Sequence, residues 1–272
     1  MEAVLNTPFD QERFLDFLLH FATMQTSVGV QTSRIVLNTT RIAEAYGYSV
    51  TIMLFQRNVA ISIIPRCPEK VKLSDYHKLA HTTTALTHHS SLPLNFQLNA
   101  ELTRLSWWAK DTRPSLEVLE RRFEEVLNAP RVNRWLILTL TGLANAAFCR
   151  LFNGDLWAML FVFLSTLIGF YARQELNKRH TYHYFVVLVA SALSSMTAGL
   201  LILTGLSSTP QIALSTSVLY LIPGVPIING IMDFFDGYMM NGISRLMNAL
   251  FIVGSIAIGV SVTVILLNQN IL

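Results

Sequence analysis

The chain has 272 residues, 52% of them hydrophobic and 14% charged, with a mean hydropathy of +0.44 and a net charge of +3. That apolarity excludes a single water-soluble domain and points to a membrane protein. So small a net charge gives no ground for a nucleic-acid partner.

Charge is unevenly spread. Residues 1–132 carry 14 Lys/Arg and 13 Asp/Glu, whereas residues 133–272 carry 6 and 4. A soluble-looking module, residues 1–130, therefore precedes a membrane-like one, residues 131–272. The opening MEAVLNTPFDQER lacks the basic and apolar regions of a signal peptide, so the front module is expected to stay in the cytoplasm.

Within that module Asp10 is placed to cap a helix running to about Met24, with Phe14, Phe17, Leu18 and Phe21 at helical spacing. Thr32 or Ser33 caps a second helix, striped by Ile35, Ile42 and Ala45 and ended by Gly47. The runs SVTIMLF and VAISII flank Gln56-Arg57-Asn58 and read as a hairpin closed by Pro65. Residues 73–90 read as a Thr-rich helix and 97–110 as another. Pro114-Ser115 opens a last helix, striped by Leu116, Leu119, Phe123 and Leu127. The expectation is an α+β domain with helices packed on a small antiparallel sheet.

His77, His81 and His88 would share one face if their segment is helical. No carboxylate or cysteine completes a ligand set, so a polar helix face is the preferred reading and no metal is expected. Cys67 is in a polar stretch and Cys149 in an apolar one, which argues against a disulfide. No nucleophile elbow, phosphate loop or zinc-protease signature is present, so neither a catalytic residue nor a cofactor is expected.

Five apolar runs follow, at about Trp135–Phe152, Leu156–Ala172, Tyr184–Thr204, Gln211–Met232 and Leu246–Leu267. A spanning helix needs roughly 20 residues, so the second is marginal. Arg131 and Arg134 precede the first run; Arg173, Lys178 and Arg179 follow the second; Arg245 precedes the fifth. Excess Lys/Arg marks the cytoplasmic side, which puts the amino end inside and the carboxyl end outside. The fold class expected is an α+β cytoplasmic domain followed by an all-α membrane domain of five transmembrane helices.

The fourth run is interrupted by Pro223-Gly224-Val225-Pro226 and followed by Asn229, Asp233 and Asp236 at i, i+4 and i+7. Two prolines break a helix, and Gly224 permits an unusual backbone turn. From Gln211 to Ile222 a helix would rise only about 18 Å, so the break falls at membrane depth. Pro226 suits the first position of a new helix, whose start would aim backbone N–H groups at an anionic solute. Asp233 is placed to meet a substrate ammonium or carry a proton. Asn145 in the first span, and Ser194 and Thr197 in the third, are further pathway candidates. The alternatives are a structural kink with aspartates in headgroup water, and small residues serving close helix packing.

The layout RW-apolar-ANAAFCRLFNGD, then FYARQELNKRH, then LIPGVPIINGIMDFFDGYMMNGISR resembles the threonine/serine exporter (ThrE) family, in its short YjjP-like branch. Its most specific part is Pro223–Pro226 with Asn229, Asp233 and Gly242-x-x-Arg245. The resemblance implies a secondary exporter of threonine, serine or succinate across the inner membrane. It also implies an oligomer with a small YjjB-like membrane subunit. Two other readings are weighed beside it: a membrane-anchored enzyme, and a non-transporting assembly or regulatory subunit.

Overall fold

A computed structural model describes residues 8–55, 58–66, 82–88, 94–130, 132–179 and 181–269. Its described elements fall into two compact units. The expected histidine face at His77 and His81, and Cys67, lie outside the described residues.

The first unit takes residues up to 130 together with 228–246. Its helices are α1 (Pro8–Ser27), α2 (Thr32–Ala45), α3 (Phe96–Thr112) and α4 (Leu116–Leu127). Strands β1 (Tyr48–Leu54), β2 (Asn58–Pro65) and β3 (Thr83–His88) form one antiparallel sheet in that order. The hairpin is as expected, with Tyr48 opposite Pro65 and Leu54 opposite Val59. The Thr-rich helix is not: Thr83–His88 is the third strand, pairing Ala85 with Ile61. Threonine is β-branched and loses rotamer freedom in a helix, and alternate residues of this segment are half-buried.

Helix α1 packs across β2 and β3, α2 lies against β1, and α3 rests on α2. Phe14, Phe21, Ile35, Ile42, Ile61, Ile63, Leu102 and Leu119 fill the core. Helix α1 begins at Pro8, so Asp10 sits inside its first turn and does not precede it as a cap.

The second unit, residues 131–227 with 247–272, contains α5 (Arg134–Leu151), α6 (Leu156–Lys178), α7 (His183–Thr204) and α8 (Pro210–Thr216). A 3₁₀ turn at Leu219–Leu221 ends the run before the break. Helix α9 (Gly224–Phe235) and helix α10 (Met239–Gln269) each begin in one unit and finish in the other.

Among the described residues three helices are long and apolar enough to cross a membrane: α6, α7 and α10. The pair Pro210–Leu221 and Gly224–Phe235, bent by 60°, makes a fourth if it is one span. Helix α6 runs six residues past Ala172, to about 34 Å at the helical rise, so it is not marginal. The first expected span forms the 18-residue α5, which is less apolar than the three spanning helices. Half of the apolar window of α7 is buried, against 28% for α6 and α10, so α7 is the central helix of this unit. Leu140, Leu143, Leu160, Leu164, Leu200 and Leu203 point outward, the surface a lipid-facing helix requires.

Candidate functional site

Eight positions were singled out by sequence: Asn145, Ser194, Thr197, Pro223, Gly224, Pro226, Asn229 and Asp233. The structure sorts them into three groups.

The first is the break. Helix α9 starts at Gly224, so Pro226 is its third residue and not its first. A proline there is tolerated, because the opening N–H groups have no intrahelical acceptor. Gly224 has no positive φ, and a Cβ there would meet nothing within 4 Å. Its backbone is therefore not one that demands glycine, contrary to expectation. The Gly224 N–H donates to Ile222 C=O at 2.9 Å and the Ile227 N–H to Pro223 C=O at 3.1 Å. Pro226 has no N–H at all. The helix start is thus a poor nest for an anion, since most of its backbone donors are used or missing.

The second group lies in the second unit, along α6. Asn145 is buried, and its amide donates to Thr166 Oγ1 at 2.7 Å and to Thr216 C=O at 3.1 Å. Thr216 is the last residue of α8, so its carbonyl has lost its helical partner. Asn145 caps that end from α5, which gives a physical reason for an amide in an apolar helix. One residue earlier on α6, Ser165 C=O accepts from Ser194 Oγ at 3.1 Å. Ser194 Oγ and Tyr220 Oη are 2.9 Å apart. Ser195 Oγ and Thr263 Oγ1 approach to 2.6 Å. Asn145 and Ser194 therefore join one polar seam. Thr197 does not: its hydroxyl donates to Leu193 C=O of its own helix at 2.8 Å.

Glycines make this seam tight. A Cβ on Gly169 would lie 1.9 Å from Ser194 Oγ and 2.3 Å from Tyr220 Oη. Tyr220 also packs edge-on against Phe170, with centroids 5.7 Å apart.

The third group lies in the first unit. Asp233 is fully buried. Its Oδ1 accepts the Thr32 N–H at 3.2 Å, and its Oδ2 accepts from Thr32 Oγ1 at 3.0 Å and Arg245 Nε at 3.1 Å. Thr32 was expected to cap α2, but it is the first helical residue, and Gln31 makes no side-chain cap. Asp233 supplies the missing acceptor, and its negative charge suits a helix amino end. Around it, Asn229 Nδ2 donates to Gly29 C=O at 3.0 Å, Arg245 to Val30 C=O at 2.7 Å, and Gln31 Nε2 to Asp236 Oδ2 at 2.8 Å.

The turn between α1 and α2 is thus clamped by residues 229–245. Gly237, at φ +85°, turns the chain between α9 and α10. Gly230 and Gly242 let those helices touch, since a Cβ on Gly242 would sit 2.8 Å from Gly230 C=O. The carboxylate of Asp233 is fully engaged. No spacing rule could have shown the bond to Thr32, because that residue lies 201 positions away.

Tyr220 belongs to the second group but was missed, and Arg173 lies one helical turn beyond Gly169 on α6. Arg173 read as a loop charge marking orientation. Its signal was the four-residue interval from Gly169, visible only once α6 is known to continue.

A family profile described as "Putative threonine/serine exporter" (ThrE) matches residues 16–267. Two curated relatives carry the name "Probable succinate transporter subunit YjjP". The one from Klebsiella aerogenes is 29% identical over 163 residues, covering 60% of this chain and 63% of that protein. The one from Escherichia coli K12 is 32% identical over 165 residues, covering 60% and 63%. The match thus spans a little under two thirds of each relative. No solved structure matches the chain.

Proposed function

The chain belongs to the threonine/serine exporter family, a family of membrane transporters rather than enzymes, and from that premise we propose that it is one subunit of a secondary exporter of small carboxylate-bearing metabolites. The observation that carries this reading is the polar seam through Asn145, Thr166, Ser165, Ser194 and Tyr220. Hydroxyls and an amide gathered beside a broken helix are the usual lining of a solute path at membrane depth. The break at Pro223, Gly224 and Pro226 gives the path its discontinuity. Asn229 and Asp233 anchor the turn between α1 and α2 within the first unit and do not join the seam.

The relatives' names as transporter subunits support a partner within a homo- or hetero-oligomer; the resemblance to the short branch suggests a YjjB-like membrane protein for it. An inner-membrane location with the amino end cytoplasmic agrees with the Lys/Arg distribution. The test is efflux of succinate, threonine and serine from loaded proteoliposomes containing this chain, with and without a YjjB-like subunit. Efflux of one of them that needs this chain supports the proposal. No efflux in either arrangement refutes it.

A further inference from the structure

Because α6 continues to Lys178, Arg173 lies on a helical turn. Ser165, Gly169 and Arg173 recur every four residues and so share one face of α6. The first two are already in contact with the seam: Ser165 C=O accepts from Ser194, and Gly169 allows Ser194 and Tyr220 to close on the helix. A helical side chain leans toward the amino end, which directs Arg173 over the turn of Gly169. Consistently, Arg173 acts electrostatically on Tyr220 and on His183 at the start of α7.

Arg173 is half-buried. Among the described residues it has no ion pair, and no hydrogen bond satisfies its guanidinium. The second unit holds only two carboxylates in its sequence, Asp155 and Glu175. Asp155 is taken by the Ala158 N–H, Ser207 and Ser208. Glu175 pairs with Lys178 at 3.1 Å and Arg134 at 3.9 Å. A partly desolvated guanidinium rich in donors is costly unless an anion meets it.

We propose that Arg173, on the face of α6 that carries Ser165 and Gly169, binds a carboxylate group of the exported metabolite. This rests on the exporter reading and narrows it. A guanidinium fork matches a carboxylate in two parallel hydrogen bonds, which a lysine cannot reproduce. The hydroxyl protons of Ser194 and Tyr220 are already used, on Ser165 C=O and on Ser194 Oγ, so the guanidinium is the donor left for a ligand. Among the described residues both side-chain carboxylates of this unit are engaged, so an ammonium group would meet no free carboxylate there. A zwitterionic hydroxy amino acid would set its own cation near Arg173 uncompensated. The ligand that fits is a net anion, such as a short dicarboxylate.

The experiment titrates purified full-length protein with succinate and with threonine by calorimetry, beside the efflux measurement. Wild type is expected to bind succinate at least about tenfold tighter than threonine. R173Q is expected to weaken succinate binding about ten- to a hundredfold, and R173K at least about tenfold. Succinate binding by R173K and R173Q equal to wild type overturns the proposal and leaves Arg173 a headgroup contact. So does a wild-type protein that binds neither solute, or threonine as tightly as succinate. Should R173Q fail to fold, as judged by gel filtration and melting, R173K decides, since it keeps the charge. The two readings separate cleanly. Binding lost in R173K, with no efflux from any protein, sinks the exporter but keeps the site. Efflux undiminished in R173K sinks the site but keeps the exporter.

Discussion

Replacing Asp233 by alanine removes three hydrogen-bond acceptances from a fully buried position. Losing the cap on the Thr32 N–H costs about 1 kcal/mol. Removing one partner of a buried ion pair costs about 3–5 kcal/mol, because the other charge is left unpaired. The Arg245 side chain is 21% exposed and keeps its bond to Val30 C=O, so the low end of that range applies. The sum is about 4 kcal/mol, a large share of a typical domain's stability. D233N keeps the shape and one acceptor, and should lose about half as much. Because the two side chains share one network, D233A/R245A should cost less than the sum of its singles by about 0.5–3 kcal/mol. Thermal unfolding in detergent reads the loss. Hydrogen exchange of the Gly29–Ile35 amides reads its location. D233A that melts with wild type, or a double mutant that is strictly additive, would refute the clamp.

Four further outcomes are expected. G169V forces a Cβ to within 2.8 Å of Ala190 C=O, a backbone atom that cannot swing away; overpacking should cost about 1–3 kcal/mol or more, read as a lower melting temperature. N145L leaves the Thr216 carbonyl without its donor and should cost about 1–3 kcal/mol in the same measurement. G224A meets open space at an ordinary φ, so its melting temperature should match or slightly exceed wild type; a clear drop would show strain at the break. Asp155 has its pKa lowered to about 2, first by the Ala158 N–H and then by the Ser207 and Ser208 donors. A depressed carboxylate contributes stability above its unfolded pKa of about 4. That contribution is lost as pH falls toward 2. The melting gap between wild type and D155N should therefore be constant above pH ~4 and close by pH ~2; a gap that does not change with pH would contradict this.

Local patterns in the chain were enough to establish much of this molecule. The stripes through α1, α2 and α4, the Tyr48–Pro65 hairpin and the interruption at Pro223–Pro226 are all short-range signals. They depend on side-chain periodicity and on what proline does to the next turn. The membrane character follows from apolar length alone. Thr83–His88 was misread because a run of threonines carries no clear period, and its pairing with β2 decided its state.

Only the tertiary structure could assign roles to the polar residues. Asn145 and Ser194 gained their meaning from an unwound carbonyl at Thr216 and a hydroxyl at Tyr220, on other helices. Asp233 looked like a free charge beside a break, yet its partners Thr32 and Arg245 hold it fully engaged. Arg173 looked like a loop marker, yet α6 runs past it, and among the described residues it has no counter-ion. Burial and partnership are properties of three-dimensional neighbours, and a charge's chemistry is set by which neighbours neutralise it.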